Sequence, residues 1–586
     1  MIMKKVIYLP LFAIAMLFFV ACKTEPKSKH ADSIEKAPTT VQSRLRAEPD
    51  KLVPILTTKS TSLQVADILF PTLLNFDVEN YTLSPVLAKA RPERKEITEG
   101  KHKGGIAYTY EIHPEAVWDN GSPVLASDYV FTMKALFNPH VKATAYQNLL
   151  SFIKDIEIDA DNPKRFTVYV TTAFRSESSS GFYVLPEYVY DPEKIMRSYA
   201  LSDLTDPKQK KKLSDDTALK KFASFFNAQG SPGTAISSCG AYKLVEWETG
   251  QRIILQKKKN WWGNKLAEEY PLLLSYPEEV IFKPMPDDMA CIAAMKGGQV
   301  DVAGKLNASM FLEFKNSPAS GGFRFFTPEL LMYTYLGLNM KRPHLSDKRV
   351  RRALAHLTDV QQMIETVQHN MAKPTVGPFP PNAPYIDKSL QPIPYDVDRA
   401  KTLLAAAGWA DSDGDGILDK VIKGKKTPLV VKVASTASEV SQNNIAIMKE
   451  DAIKAGVVIE PVVVSPSQLF REVLPHRDFD AFVLAAGFDL DLYDPSQFWH
   501  TASDTPSGSN RFGFGNAQTD AVIDELRATD DEGRRRELYI QLQKIIYEEQ
   551  PCIFLYQPKD RIVISKAFKN AKTTLRNPGY YEPLFH

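Results

Sequence analysis

The chain has 586 residues, 44% hydrophobic and 24% charged, a globular composition. Its 72 basic and 70 acidic side chains nearly cancel, which excludes a global attraction for nucleic acid or for an anionic surface. The length exceeds the ~250–300 residues at which a single core stops growing, so two or three domains are expected.

Lys4 and Lys5 precede an apolar run over residues 6–21, broken only by Tyr8 and Pro10, and then Cys22. A charged start, an apolar middle and a small-residue cleavage position make a secretory signal over 1–21. The run falls short of the ~20 residues a membrane span needs, and no later stretch is long enough either. Cys22 directly after Phe19-Val20-Ala21 resembles a bacterial lipobox, with Phe19 in place of the more usual Leu. Cleavage before Cys22 accounts for both the Ala and the Cys; the alternative is an ordinary secretory signal with Cys22 near the cut by chance. On the first reading Cys22 carries diacylglycerol and an N-acyl chain, the two anchors that stable attachment requires. Loss of residues 1–21 removes Lys4 and Lys5 and no acidic residue, leaving 70 charges of each sign. Residues 22–44, rich in Lys, Glu, Pro, Ser and Thr, read as a lipid-anchored flexible tether.

Residues 108–136 carry the most information. Tyr108, Tyr110 and Ile112 alternate as a strand with one apolar face. Asp119-Asn120-Gly121 supplies a turn, and Ser127 or Asp128 can cap a helix with Tyr129, Val130, Met133 and Leu136 on its apolar positions. A hairpin turning at 248–250 follows, then a short helix closed by Gly297-Gly298 and a strand after it. A strand ends at Asn339, and Asp347 can cap the helix beginning near Lys348. Residues 395–409 form another capped helix with a Gly stop. The chain closes with helical faces at Val522, Leu526, Leu538, Leu542 and Ile545, and a β run over 552–556. The stretch 176–232, with its KQKKKLSDD run, reads as solvated surface.

An aromatic strand, the string W-D-N-G-x-P-x-x-A-x-D and an aromatic helix together resemble the signature of the family 5 extracellular solute-binding proteins, the peptide and nickel receptors of ABC importers. His113 departs from the Arg or Lys usual there. Further landmarks come in the family's order: residues 69–88, Ser238-Cys239-Gly240-Ala241-Tyr242, Trp261-Trp262-Gly263, 289–301, 335–359 and 395–409. The resemblance implies an α/β, two-lobed periplasmic binding protein fold of the class with an extra inserted subdomain. Its ligand cleft would lie between lobes joined by two hinge crossings, near 332–338 and 552–557. Lobe I would be discontinuous (45–76, 235–335 and 554–586), residues 77–234 the inserted subdomain, and 336–553 lobe II.

Peptide-binding members hold the ligand's α-ammonium with a lobe II Asp placed three residues before an acidic-Pro pair and just after an aromatic. Counting back from Asp494-Pro495 gives Asp491, with Phe488 where Trp is usual and Asp489 as a competing carboxylate. A desolvated ammonium needs a paired carboxylate. The plainer alternative is that these aspartates cap or solvate a loop. Backbone groups at Cys239 and Gly240, and at Gly487 on the opposite lobe, would line the cleft and bond an extended peptide; Gly240 serving only its turn fits equally well.

Residues 411–419, DSDGDGILD, resemble the first half of a calcium loop, with Asp411, Asp413, Asp415 and Asp419 as oxygen donors and Gly416 at the sharp turn. Ile422 stands where the twelfth-position Glu is expected, so a structural calcium and a bare acidic turn both remain open. No other cofactor is indicated. Cys239, Cys291 and Cys552 fit either one disulfide with a free thiol or three buried thiols, and no Cys/His spacing makes a zinc site. G-x-S-x-G, H-E-x-x-H and Walker A strings are absent, so no enzyme is expected.

These features together point to a monomeric substrate-binding lipoprotein on the periplasmic or cell-surface side of a bacterial membrane. It would capture peptides between its lobes and pass them to an ABC permease and its ATPase. A receptor for a nickel chelate, haem or another solute is the alternative on the same scaffold, and a catalytic or adhesive surface lipoprotein the alternative of another class.

Overall fold

The computed structural model describes residues 38–77, 81–171, 174, 176–379, 383, 385–488, 493–506 and 508–586. Thr40–Leu45, expected to fall in a tether and at its border, is a central strand instead. It pairs in parallel with Glu279–Pro284, and the Arg44 guanidinium donates to the carbonyls of Met285 and Pro286 and to Asp288. Ladder and guanidinium bonds hold this strand, so its few large apolar residues gave no warning.

The sheet of lobe I has seven strands. Their order is Phe323–Phe326, Ile562–Ser565, Val302–Ala303, Thr40–Leu45, Glu279–Pro284, Arg252–Lys257 and Tyr242–Glu248. The last two form the expected hairpin, with Gly250 at φ +76° in the turn, a conformation that disfavours a side chain. A separate antiparallel sheet of four strands lies within the 77–234 stretch: Glu93–Glu96, Ile106–Glu111, Arg165–Val170 and Ile153–Ile158. The helix after it runs Ala126–Phe137. Neither Ser127 nor Asp128 holds its cap position, which is Leu125. The Asp128 carboxylate reaches back from the first turn, accepting the Leu125 backbone N–H at 3.0 Å and the Trp118 indole at 3.1 Å.

Lobe II is built on six strands in the order Ala372–Pro374, Cys552–Pro558, Met332–Leu338, Ala481–Gly487, Val430–Ser435 and Val458–Val463. Every residue of Cys552–Pro558 is buried, as suits a strand covered on both faces. Val430–Ser435 and Val458–Val463 run parallel and are joined by the helix Glu439–Ala452, the crossover that parallel pairing demands. Asp347 caps Lys348–His356 as read from sequence, accepting the Arg349 N–H at 2.9 Å. Cys239, Cys291 and Cys552 are all free and buried, which settles the disulfide question among the described residues. No helix of the described residues is long and apolar enough to cross a membrane.

The hinge lies one step away from the expected residues. Met332–Leu338 and Cys552–Pro558 are paired strands wholly inside lobe II, whereas Phe323–Phe326 and Ile562–Ser565 are paired inside lobe I. The crossings are therefore the short links 327–331 and 559–561. They bond to each other through the Glu329–Lys559 bridge, Leu330 N–H to Pro558 O at 3.0 Å and Asp560 N–H to Pro328 O at 2.7 Å. The sequence misplaced them because an apolar β run says where a strand is, not which sheet receives it.

Candidate functional site

In open α/β sheets, ligands gather in crevices at the carboxyl ends of strands. Arg46 directly follows Thr40–Leu45, and Lys305 lies two residues beyond Val302–Ala303, which runs parallel to it. Gly487 ends Ala481–Gly487, and Phe488 follows. These ends meet at one cavity of about 840 Å³, lined from both lobes and from both crossings. That volume falls within the ~300–1,000 Å³ of small-ligand sites. A cavity of about 860 Å³ elsewhere, lined by Trp118, Lys243, Lys258 and Trp261, draws nothing from the lobe II sheet and lies away from the hinge.

Among the described residues, lobe II contributes a mainly neutral wall. The Phe488 N–H donates to the Leu331 carbonyl at 2.7 Å, fastening the strand end to a crossing. The Phe488 ring, 6% exposed, packs 5.2 Å from Tyr333, so it lines the cavity from a fixed position. The Tyr556 hydroxyl accepts from Asn444 Nδ2 at 2.7 Å and Gln368 Nε2 at 3.1 Å. Gly487 also lines the cavity. Asp489 and Asp491 lie outside the described residues.

Lobe I contributes charge. Arg46, Lys305, Asp560 and Arg561 line the cavity. Asp560 is fully buried, and its Oδ1 accepts the backbone N–H groups of Lys305 at 2.8 Å and Arg561 at 2.7 Å, while Oδ2 has no hydrogen-bond partner among the described residues. Burial raises the Asp560 pKa and lowers those of Lys305 and Arg561. Sequence reading missed this wall. The signal available was positional: two basic residues just beyond the ends of parallel strands, and an Asp-Arg pair after a largely apolar strand.

Cys239 and Gly240 do not line this cavity and are corrected as cleft residues. The Cys239 carbonyl accepts the indole N–H groups of Trp261 and Trp262, each at 2.8 Å. At Gly240 an added β-carbon would sit 2.4 Å from the Leu69 carbonyl oxygen, so the glycine serves close packing. His113 is also structural, buried with its ring edge-on to Tyr270 at 4.6 Å.

Of the four aspartates in 411–419, the structure brings Asp411, Asp413 and Asp419 together, with carboxylate oxygens within 4.8 Å of one another. Asp415 is turned to the Ile417 N–H at 2.8 Å, outside that group. The Lys426 ammonium lies 2.6 Å from Asp413 and 3.2 Å from Asp419, and Ser412 donates to Asp419. A cation of the chain itself thus offsets one of the cluster's three negative charges, and Asp415 stands outside the donor set.

Comparison with known proteins gives a consistent result. The family described as bacterial extracellular solute-binding proteins, family 5 Middle, matches residues 82–510. The oligopeptide-binding protein AppA of Bacillus subtilis (strain 168) is 24% identical over 531 residues, 90% of this chain and 87% of the relative. The structure of AppA from Bacillus subtilis in complex with a nonapeptide superposes with a TM-score of 0.67 at 21% identity, covering 94% of this chain and 97% of that one. NikA from Brucella suis in complex with Fe(III)-EDTA gives 0.73 at 19% identity, covering 93% and 99%. At these identities the structural likeness establishes the fold.

Proposed function

The chain belongs to the bacterial extracellular solute-binding proteins of family 5, non-enzymatic solute captors of ABC transport, and from that premise we propose that it captures peptides between its lobes. The observation that carries this reading is the 840 Å³ cavity at the hinge, lined by Gly487 on one side and Pro578 and Gly579 on the other. Gly487 is exposed at the end of its strand, which suits an extended peptide recognised through main-chain hydrogen bonds. In this reading Asp491, or its neighbour Asp489, neutralises the ligand's α-ammonium, and Phe488 forms the wall beside it. Ligand contacts to both lobes favour the closed form, which a permease and its ATPase then engage. Cys22 holds the protein to the membrane through its lipid, with the first residues after it as a short tether.

A metal chelate or another non-peptide solute is the second reading. The cationic lobe I wall favours it, and NikA, a protein of the same fold, has been seen with Fe(III)-EDTA. Mass spectrometry of solutes released from the purified full-length protein separates the two. Short peptides are expected; a chelate without peptides would move the assignment to the second reading.

A further inference from the structure

Two contacts join lobe I to lobe II without passing through the crossings at 327–331 and 559–561. The four-stranded sheet of the 77–234 stretch belongs with lobe I, because its Tyr108, Tyr110 and Phe166 share one apolar core with Ile253, Leu255 and Phe282 of the lobe I sheet. Its edge strand, Glu93–Glu96, is charged and exposed at all four positions. Charges on an edge strand ordinarily serve to block the addition of another strand. Arg94 has a partner beyond its own sheet as well. Its Nη2 donates to Asp530 Oδ2 at 2.5 Å, across 436 positions of sequence.

Asp530 lies in the link between two lobe II helices, Ala517–Ala528 and Glu532–Glu549. Arg535 Nη2 donates to the Thr529 carbonyl at 2.5 Å, and Asp531 accepts the Arg534 N–H at 2.8 Å, which fixes that link. Arg94 in turn donates to Glu96 at 3.4 Å. Each partner is thus braced from its own side. The second contact is Phe174, which follows Arg165–Val170 of the same sheet. It is 6% exposed and belongs to the apolar cluster of lobe II that holds Tyr333, Phe488 and Trp499. Arg94, Phe174 and Asp530 do not line the hinge cavity.

An exposed ion pair shifts an equilibrium by only about two- to fivefold. Against the stability of a whole fold that is slight. Two forms related by a hinge lie far closer in free energy, with the minor one populated at about 0.1–10%, so the same factor changes how much of each exists.

We infer that the Arg94–Asp530 bond is a latch that, together with Phe174, holds the lobes closed in the absence of solute. The inference rests on the lobes opening at the two crossings. It gives the 77–234 stretch a role apart from touching solute: it sets how much closed form exists before solute arrives. Affinity follows, since a solute that prefers the closed form binds more weakly when that form is rarer.

The test measures the separation between spin labels at Glu99→Cys and Arg536→Cys, exposed positions near the two ends of the latch, in the purified full-length protein. Wild type without solute should show two separations, and a random tetrapeptide pool should enrich the shorter. Arg94→Ala and Asp530→Ala should each lower the closed-to-open ratio about two- to fivefold with the melting temperature unchanged. The double replacement should lower it no further, because both changes remove one bond. Affinity for the pool should weaken by at most the same factor. Three results overturn the latch and leave lobe closure standing: a shorter separation reached only with solute, a ratio unmoved by the replacements, or additive effects of the two. A single separation in every sample, with the pool or Fe(III)-EDTA present, overturns lobe closure and the latch together.

Discussion

The backbone N–H of Asp560 donates to the carbonyl of Pro328 at 2.7 Å, and this bond ties the second crossing between the lobes to the first. The same residue's side chain accepts from Lys305 and Arg561, so one buried aspartate organises both the hinge and the cationic wall. Asp560→Ala leaves two backbone donors unsatisfied and should cost about 2–4 kcal/mol in urea unfolding. Asp560→Asn keeps an acceptor and should recover most of that. Equal stability of Asp560→Ala and wild type would remove Asp560 from this role.

Glu582 gives a pH signature. It is 1% exposed, accepts from Ser43 and Gln64 at 2.8 Å each, and burial raises its pKa above the ordinary 4.5. An acid raised on folding keeps its proton in the folded state after the unfolded chain has lost it. Its contribution to stability is therefore full below the ordinary value and declines as pH rises above 4.5 toward the folded pKa. Glu582→Gln should match wild type at acid pH, be more stable at neutral pH, and flatten the melting-temperature profile in between. A profile unchanged by the substitution would contradict this.

The thiols should be silent in the native state. Burial pushes Cys239 up to about 12 and Cys291 up to about 11, and raises Cys552 as well. The thiolate is the reactive form. Iodoacetamide at mildly alkaline pH should leave all three unlabelled in the folded protein and label all three in denaturant, read by peptide mass spectrometry. Native labelling at any of them would show that its site opens.

Much of the fold was legible because it rests on local chemistry. Asp347 caps its helix, Gly250 turns its hairpin, and Ile106–Glu111 follows the alternation seen in Tyr108 and Tyr110. What escaped depends on partners distant in sequence. Thr40–Leu45 looks like a tether until Glu279–Pro284 lies beside it. Cys239 sits in a landmark, yet its carbonyl is spent on Trp261 and Trp262. Lys305 and Arg561 are 256 positions apart, and only the pairing of Val302–Ala303 with Ile562–Ser565 brings their neighbourhoods together.

The acidic loop makes a separate prediction. With Lys426 bridging Asp413 and Asp419, calcium should not shift the wild-type melting temperature. Lys426→Met leaves the carboxylates to repel one another, so the variant should melt lower and recover when calcium is added. A calcium-dependent rise in the wild type would restore the loop as a metal site.

The central claim, that solute is held between the lobes at the hinge, is tested most directly at Gly487. Among the described residues an added β-carbon there meets only the Leu331 carbonyl oxygen, at 3.7 Å, so a larger side chain can enter the cavity without disturbing the strand. Calorimetry of Gly487→Trp with a random tetrapeptide pool should show binding lost while the melting temperature stays at the wild-type value. Undiminished binding in that variant would place the ligand elsewhere and contradict the account.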